Sequence, residues 1–260
     1  MINYPFNLLT NYFVKENNID LGCRYEICTM PAKELFHYNR FDLMAKWIYI
    51  DAKEKDIDLE WAIKIYHDNI NAFSNGTFLE PGTESKNSFQ KYLEDFDILI
   101  ENIKKDGFDC KKSLIPVGQD NVLLDGAHRT AIAAYYNRNI TVIKFPKLDR
   151  QYDYRYFRNH LMSDINLGYM AIYYSHLKQN CYMACMWPVA GTKLSDKVEA
   201  ILRSIGKIVY AQDVYLTYQG LQNFMIQIYG HQKWVGSIDD RFEGIKGKAR
   251  ACYQKRNAVK

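Results

Sequence analysis

Several familiar catalytic signatures are missing from this sequence of 260 residues. It has no Gly-x-x-x-x-Gly-Lys-[Ser/Thr] phosphate loop, no Gly-x-Gly-x-x-Gly dinucleotide fingerprint, no His-Glu-x-x-His zinc helix and no Gly-x-Ser-x-Gly nucleophile elbow. These absences exclude the usual P-loop, Rossmann, zincin and hydrolase sites. Any catalytic function must therefore rest on a different arrangement of residues.

Long apolar runs are missing as well. No stretch approaches 18 consecutive apolar residues, and the first residues, Met-Ile-Asn-Tyr-Pro-Phe, lack the pattern of a secretion signal. We therefore expect a cytoplasmic protein with no transmembrane segment. The six cysteines are scattered, and only Cys181 and Cys185 lie near each other, without a second ligand pair. This favours reduced thiols, with a zinc site as the alternative.

The overall composition is that of a globular protein, with 48% apolar and 25% charged residues. The 21 tyrosines suit half-buried strands better than they argue for a stacking surface. A net charge of +4 is compatible with an anionic ligand and too small to favour a nucleic-acid groove. The length suits one large domain or two small ones.

Three regions can be separated along the chain, and together they predict a mixed α/β (α+β) fold. Residues 1–75 are expected to be mainly helical, with helices over 41–50 and 59–73, the second capped by Asp58. Residues 76–146 form the core region described next. Residues 147–260 are predicted to form a second α/β segment of unknown role. Within it we expect helices over 162–177 and 194–205 and strands over 182–189 and 207–216.

The most informative segment is Asp-Gly-Ala-His-Arg, residues 125–129, which we call the corner. It follows a short apolar run at 122–124, expected to be a strand, and precedes an alanine-rich helix. A helix N-terminus has unpaired N–H groups and a partial positive charge, which suit phosphate. Gly126 lets the main chain approach a ligand, and Arg129 can bind two phosphate oxygens. The simpler alternative is an ordinary turn in which Asp125 caps the helix.

The corner resembles the nucleotide-binding turn of the ParB/sulfiredoxin-like fold. The resemblance covers residues 76–146. It implies a helix over 92–105, a strand over 113–117 and a closing strand over 140–145.

The corner residues favour one branch of that fold. Sulfiredoxins carry a reactive cysteine where this chain has Ala127, so the sulfinic-acid repair reaction lacks its nucleophile. ParB partition proteins have a more basic corner and a helix-turn-helix domain, which the second half of this chain does not resemble. Small-molecule kinases of the free-serine-kinase type use Asp-Gly-x-His-Arg, which this sequence matches at Asp125, Gly126, His128 and Arg129.

That last resemblance implies an ATP-dependent phosphotransferase, a kinase acting on a hydroxyl of a small metabolite or sugar. The expected cofactors are ATP, or another nucleoside triphosphate or ADP, with Mg²⁺ held by Asp125. The expected catalytic residues are Glu80, Asp125, His128 and Arg129, with Glu80 as the base. The nucleotide-binding residues are expected to be Gly126, Ala127, His128, Arg129, Thr130 and Lys86, and the substrate-binding residues Arg40, Asp42, Lys46 and Glu84. The segment Arg-Phe-Asp-x-x-x-Lys ahead of the corner resembles proteins of bacterial surface-polysaccharide biosynthesis.

Simpler interpretations of these residues stay open. The loop at 78–88, which contains Glu80, Glu84 and Lys86, is also typical of a solvated connection. Asp42 and Lys46 share one helix face, and a surface ion pair is the simpler explanation of that spacing. Two other functions also remain: a ParB-like, nucleotide-switched DNA-binding module, and a non-catalytic nucleotide-binding domain of a larger protein.

Overall fold

The computed structural model describes residues 6–80, 82, 86–182 and 195–212. These residues contain eight α-helices and three β-strands, which is a mixed α/β fold. The chain divides into two compact units, residues 1–183 and 184–260. The boundaries that we expected after residues 75 and 146 both lie inside the first unit. The reason is the sheet, which joins residues from both sides of the first boundary.

Three short strands form that sheet, in the order β1-β3-β2. They are β1 (Ile27–Pro31), β2 (Ile115–Val117) and β3 (Asn139–Lys144). β1 is antiparallel to β3 and β2 is parallel to it. The region expected to be mainly helical therefore contributes an edge strand. β2, α5 and β3 together form a β-α-β unit, in which two parallel strands need a crossover connection.

The described part of the first unit also contains seven α-helices. They are α1 (Asn11–Glu16), α2 (Asp42–Lys55), α3 (Leu59–Phe73), α4 (Phe89–Asp106), α5 (Ala127–Tyr135), α6 (Tyr154–Asn159) and α7 (Asp164–Leu177). The bounds predicted for α3 are confirmed. α4 begins three residues earlier than expected, because the Ser88 hydroxyl accepts a hydrogen bond from the N–H of Lys91. Asp58 precedes α3 in a left-handed conformation, and its side chain makes no capping hydrogen bond, so that predicted cap is wrong.

Helix α2 is the centre of the first unit. It packs against α3, α5 and α7, and ten of its 14 residues are buried. Every residue from Asp42 to Ile50 is buried, so this part of the helix has no solvent face. Asp42 and Lys46 therefore lie in the interior, and their predicted place on the surface is wrong.

The second unit is described only over residues 195–212. It contains α8 (Ser195–Ile205), which confirms the helix predicted there. The described part of the strand expected at 207–216, residues 207–212, is not a strand. The strand expected at 182–189 and the rest of 207–216 lie outside the described residues, apart from Tyr182. Among the residues that the structure describes, no helix has the length and apolar character needed to cross a membrane.

Candidate functional site

The chain doubles back after β2 to reach the corner. A 3₁₀ turn over Gln119–Asn121 reverses its direction, and the N–H of Leu124 then donates to the carbonyl of Pro116 at 3.0 Å. Residues 122–124, which we expected to be a strand, make a single antiparallel bridge between Leu123 and Val117. The corner therefore returns to the beginning of β2.

Gly126 is required at the turn for two reasons. Its φ of 84° lies in the left-handed region, which side chains rarely adopt. A Cβ at this position would lie 2.6 Å from Cδ1 of Ile115 and 2.9 Å from Nη2 of Arg129. The turn thus packs against Ile115 of β2, and the Arg129 guanidinium folds back against the turn.

The first turn of α5 keeps its backbone donors available. The N–H of Thr130 donates to the carbonyl of Gly126 at 3.0 Å, so the amides of Ala127, His128 and Arg129 precede the first intrahelical bond. No side chain in the described part of the chain caps this helix. The alternative in which Asp125 caps α5 is therefore wrong.

Asp125 is instead held by groups beside the turn. Its Oδ1 accepts from the N–H of Gly126 at 2.6 Å, and its Oδ2 accepts from the Thr10 hydroxyl at 3.2 Å. Thr10 also caps α1 by accepting from the N–H of Phe13. The carboxylate is consequently fixed at the edge of the corner with lone pairs to spare.

The side chain of Arg129 makes no hydrogen bond and no ion pair with any residue that the structure describes. Burial lowers the pKa of Arg129 below its ordinary value, and the charges of Asp125 and Glu80 oppose that lowering. Arginine remains protonated under all ordinary conditions. Within the part of the chain that the structure describes, the corner therefore contains a half-buried guanidinium whose donors have no acceptors, beside three unpaired amides.

The His128 ring lies between α3 and α4. Its Nε2 lies 2.8 Å from the hydroxyl of Tyr66, and its ring packs edge-on against Phe96 at 4.7 Å between centroids. Burial, followed by the charges of Lys46 and Lys86, lowers the pKa of His128 well below 6.5. The imidazole is therefore neutral at physiological pH.

Glu80 and Lys86 stand on the other side of the corner. Their side chains form an ion pair at 2.7 Å, and the N–H of Glu80 donates to the carbonyl of Lys86 at 3.3 Å. The charge of Glu80 also acts on Lys46, Tyr66 and Arg129, because it contributes to raising the pKa of each. Glu80 is therefore close enough to influence the corner. Glu84, the other expected carboxylate, lies outside the described residues.

A buried charge network lies beneath the corner. The guanidinium of Arg40 binds both carboxylate oxygens of Asp42 and donates to the carbonyl of Leu123. Lys46 donates to Asp42 at 3.2 Å and to Asn69 at 3.4 Å. Arg40, Asp42 and Lys46 are 2–3% exposed. They form the floor under the corner, and their expected role in substrate binding stays a prediction.

The ionisation of this network follows from its geometry. Burial would raise the pKa of Asp42, yet Arg40 and Lys46 hold it well below its usual range. Burial lowers the pKa of Lys46, and the nearby Asp42 only partly opposes this. Two cations share one carboxylate, so the floor carries an excess positive charge. Such a charge favours an anion above it.

Thr130 and Ala127 were also predicted to bind the nucleotide. Thr130 is fully buried, its N–H is used inside α5 and its hydroxyl has no partner among the described residues, so its expected role in nucleotide binding stays a prediction. Ala127 contributes only its backbone amide. Within residues 6–80, 82, 86–182 and 195–212, no group of three or more His, Cys, Asp or Glu residues is arranged to hold a metal ion.

Sequence reasoning missed three residues of the site: Tyr66, Asn69 and Thr10. Tyr66 and Asn69 lie three positions apart in α3, on the side that faces α2 and the corner. Only their spacing could have indicated that they lie together, because residues three positions apart share a helix face. Thr10 lies 115 residues from its partner Asp125, and no local pattern could have joined them.

Comparisons with protein-family models, with curated proteins and with solved structures find no match for this chain.

Proposed function

We propose that the first unit is an ATP-dependent phosphotransferase that acts on a hydroxyl of a small metabolite or sugar. The observation that carries this proposal is the corner itself: the Arg129 guanidinium lies against Gly126 beside three backbone amides, and none of these donors has a partner among the described residues. Arginine and a helix N-terminus are the two protein groups best suited to hold phosphate oxygens. The ParB/sulfiredoxin-like resemblance of the Asp-Gly-Ala-His-Arg sequence supports a nucleotide as the source of those phosphates.

The surrounding charges also support an anionic ligand. Besides the neutral His128, the charged side chains around the corner that the structure describes are four cations, Arg40, Lys46, Lys86 and Arg129, and three anions, Asp42, Glu80 and Asp125. The excess positive charge lies on half-buried or buried groups, where charges interact more strongly than in water.

In this proposal the corner amides and Arg129 bind the phosphate chain, and Lys86 lies beside the phosphoryl group that is transferred. Glu80 accepts the proton of the acceptor hydroxyl. A bond forms between that oxygen and the terminal phosphorus, the bond from this phosphorus to the bridging oxygen breaks, and the nucleoside diphosphate leaves.

Magnesium would be held mainly by the phosphates. Mg²⁺ in such sites commonly uses one or two carboxylates together with substrate oxygens and water, so Asp125 is a sufficient protein ligand. Asp125 has one lone pair on each oxygen engaged by Gly126 or Thr10, which leaves others available. The ion would neutralise charge on the transferring phosphates.

The direct test is phosphoryl transfer from ATP labelled at its terminal phosphate, with Mg²⁺, to a panel of hydroxylated metabolites and sugars. Arg129→Ala should lower the turnover by about a hundredfold or more, because donors that meet the developing charge contribute that much. The matched control is Arg138→Ala, which removes an exposed arginine shortly after α5 and should leave turnover unchanged. Full activity in Arg129→Ala would remove the corner from the mechanism.

Glu80→Gln tests the general base. It should lower turnover about a hundredfold and change nucleotide affinity little, since the amide cannot accept the proton. Glu94→Gln is the matched control: Glu94 also contacts a lysine, Lys91, but stands exposed on α4. Unchanged turnover in Glu80→Gln would assign the base elsewhere.

The same measurements separate the other functions. Binding of ATP with no transfer to any acceptor would favour a non-catalytic nucleotide-binding domain. Duplex DNA binding that weakens steeply with salt would favour a ParB-like module.

A further inference from the structure

Tyr66 has only one hydrogen-bonding partner among the described residues, the Nε2 atom of His128 at 2.8 Å. Tyr66 is fully buried, so water cannot serve as a second partner from the surface. The hydroxyl hydrogen of Tyr66 therefore has two possible arrangements. In the first it points to Nε2 of His128, and in the second it has no acceptor among the described residues.

The cost of the second arrangement decides between them. If Nε2 carried the proton and donated to Tyr66, the hydroxyl hydrogen of Tyr66 would be a buried donor without an acceptor. Leaving a buried donor unsatisfied is much less favourable than making the bond. The Nδ1–H of the other tautomer does not carry the same cost, because the His128 side chain is only partly buried and its Nδ1 is not among the buried, unpartnered side-chain atoms of the described residues. The hydroxyl of Tyr66 must then donate, and Nε2 of His128 must accept.

The tautomer of His128 follows from this assignment. A neutral imidazole carries one proton, and because Nε2 is the acceptor, that proton is on Nδ1. Burial also raises the pKa of Tyr66 well above 10, which keeps its hydroxyl protonated. Nδ1 is bonded to the ring carbon that joins the side chain, so it lies close to the first turn of α5. No residue that the structure describes accepts a hydrogen bond from it.

We infer that Tyr66 is a positioning residue that fixes His128 as the Nδ1-protonated tautomer, making it a neutral hydrogen-bond donor to an anion at the corner. The inference rests on the proposed phosphate site for its function, although the tautomer itself does not. A neutral donor adds directional binding without adding charge beside Arg129. It complements the three amides and the guanidinium, which supply the rest of the donors.

The tautomer can be measured without any ligand. Two-bond proton–nitrogen correlation spectra of protein with isotope-labelled histidine distinguish the protonated ring nitrogen from the other, and the His128 signals are identified by their loss in His128→Gln. We expect Nδ1 to be the protonated nitrogen at neutral pH. A proton on Nε2, or on both nitrogens, would overturn the inference.

Two variants test the role of the hydroxyl. Tyr66→Phe should abolish the fixed Nδ1-protonated signature and weaken binding of inorganic tripolyphosphate by about tenfold, the value of one hydrogen bond. Tyr49→Phe is the matched control, because Tyr49 stacks on Tyr66 at 5.5 Å but its hydroxyl bonds to Asp97. It should leave both the His128 spectrum and the binding of tripolyphosphate unchanged. Equal effects of the two variants would overturn the inference, because they would indicate a general loss of packing.

The ligand titration separates this inference from the proposed function. Tripolyphosphate should shift the Nδ1 signal of His128 in the wild-type protein. A shift without phosphoryl transfer from ATP would support the donor role and contradict the kinase. An Nδ1-protonated His128 that does not respond to saturating tripolyphosphate would overturn the donor role, and transfer from ATP would then have to be explained without it.

Discussion

The guanidinium of Arg40 donates to the carboxylate of Asp42 through Nε and Nη2, each at 2.9 Å, while both side chains are almost completely buried. The paired geometry satisfies both carboxylate oxygens and leaves Nη1 to bind the carbonyl of Leu123. The start of α2 is thereby joined to the segment that leads into the corner. This contact links the stability of the first unit to the shape of the candidate site.

Asp42→Asn should lower the free energy of unfolding by about 3–5 kcal/mol, because it leaves two buried cations without their carboxylate. The measurement is urea denaturation. Glu60→Gln is the matched control: Glu60 pairs with Lys64 at 3.0 Å, also with i,i+4 spacing, but both side chains are exposed. That change should cost no more than about 1 kcal/mol. A comparable small loss for Asp42→Asn would contradict the buried network.

Gly126→Ala should destabilise the protein more than Gly76→Ala. Both glycines have φ near +80°, so both substitutions strain the backbone. At Gly76 the nearest atom to an added Cβ is Oδ1 of Asn71 at 3.8 Å, an ordinary contact, whereas at Gly126 the added Cβ meets Ile115 and Arg129. Overpacking should add about 1–3 kcal/mol at Gly126. Gly126→Ala should also weaken tripolyphosphate binding by displacing the Arg129 guanidinium, and equal losses of stability in both variants would contradict the close packing of the turn.

Stability should fall as the pH is lowered below 6.5, in part because of His128. Its pKa is lowered in the folded protein, so below pH 6.5 the unfolded chain binds more protons than the folded one. The contribution is complete above pH 6.5 and is lost progressively as the pH falls towards the folded-state pKa. Urea denaturation between neutral and mildly acidic pH should show a smaller decrease in the free energy of unfolding for His128→Gln than for the wild type. Identical slopes would indicate that His128 titrates normally.

Stability should also fall above pH 10, because several tyrosines have raised pKa values. Burial raises the pKa of Tyr66 well above 10 and those of Tyr135 and Tyr174 to about 12. The unfolded chain then loses protons first, so the free energy of unfolding decreases as the pH rises through this range. In the folded protein, phenolate absorbance should show tyrosines that lose their protons well above pH 10. In guanidinium chloride, the same measurement should show a single transition near pH 10. A single transition under both conditions would contradict the buried hydroxyls.

The elements that sequence predicted well are those with local causes. Leu59–Phe73 has apolar residues at helical spacing, and its bounds were confirmed. The glycine at the corner follows from turn chemistry in the same way. In each case the signal lies within a few residues of the structure that it specifies.

The elements that sequence missed depend on distant partners. β1 becomes a strand only because β3 pairs with it, and its five residues carry little pattern of their own. Asp42 and Lys46 are buried because α3, α5 and α7 cover α2, which spacing within α2 does not indicate. Tyr66 acquires a role in the site through a contact with His128. Tertiary packing decides each of these, so a single sequence could not.

The pairing of β1 with β3 also determines the order in which the first unit can assemble. Ile27 lies opposite Ile143, more than a hundred residues later, whereas β2, α5 and β3 are neighbours in sequence. Closing a long loop is entropically costly, and non-local pairing slows folding. The β2-α5-β3 unit should consequently form early and the edge strand should dock late. Since Thr10 precedes that strand, its contact with Asp125 completes the corner only in the last stage of folding.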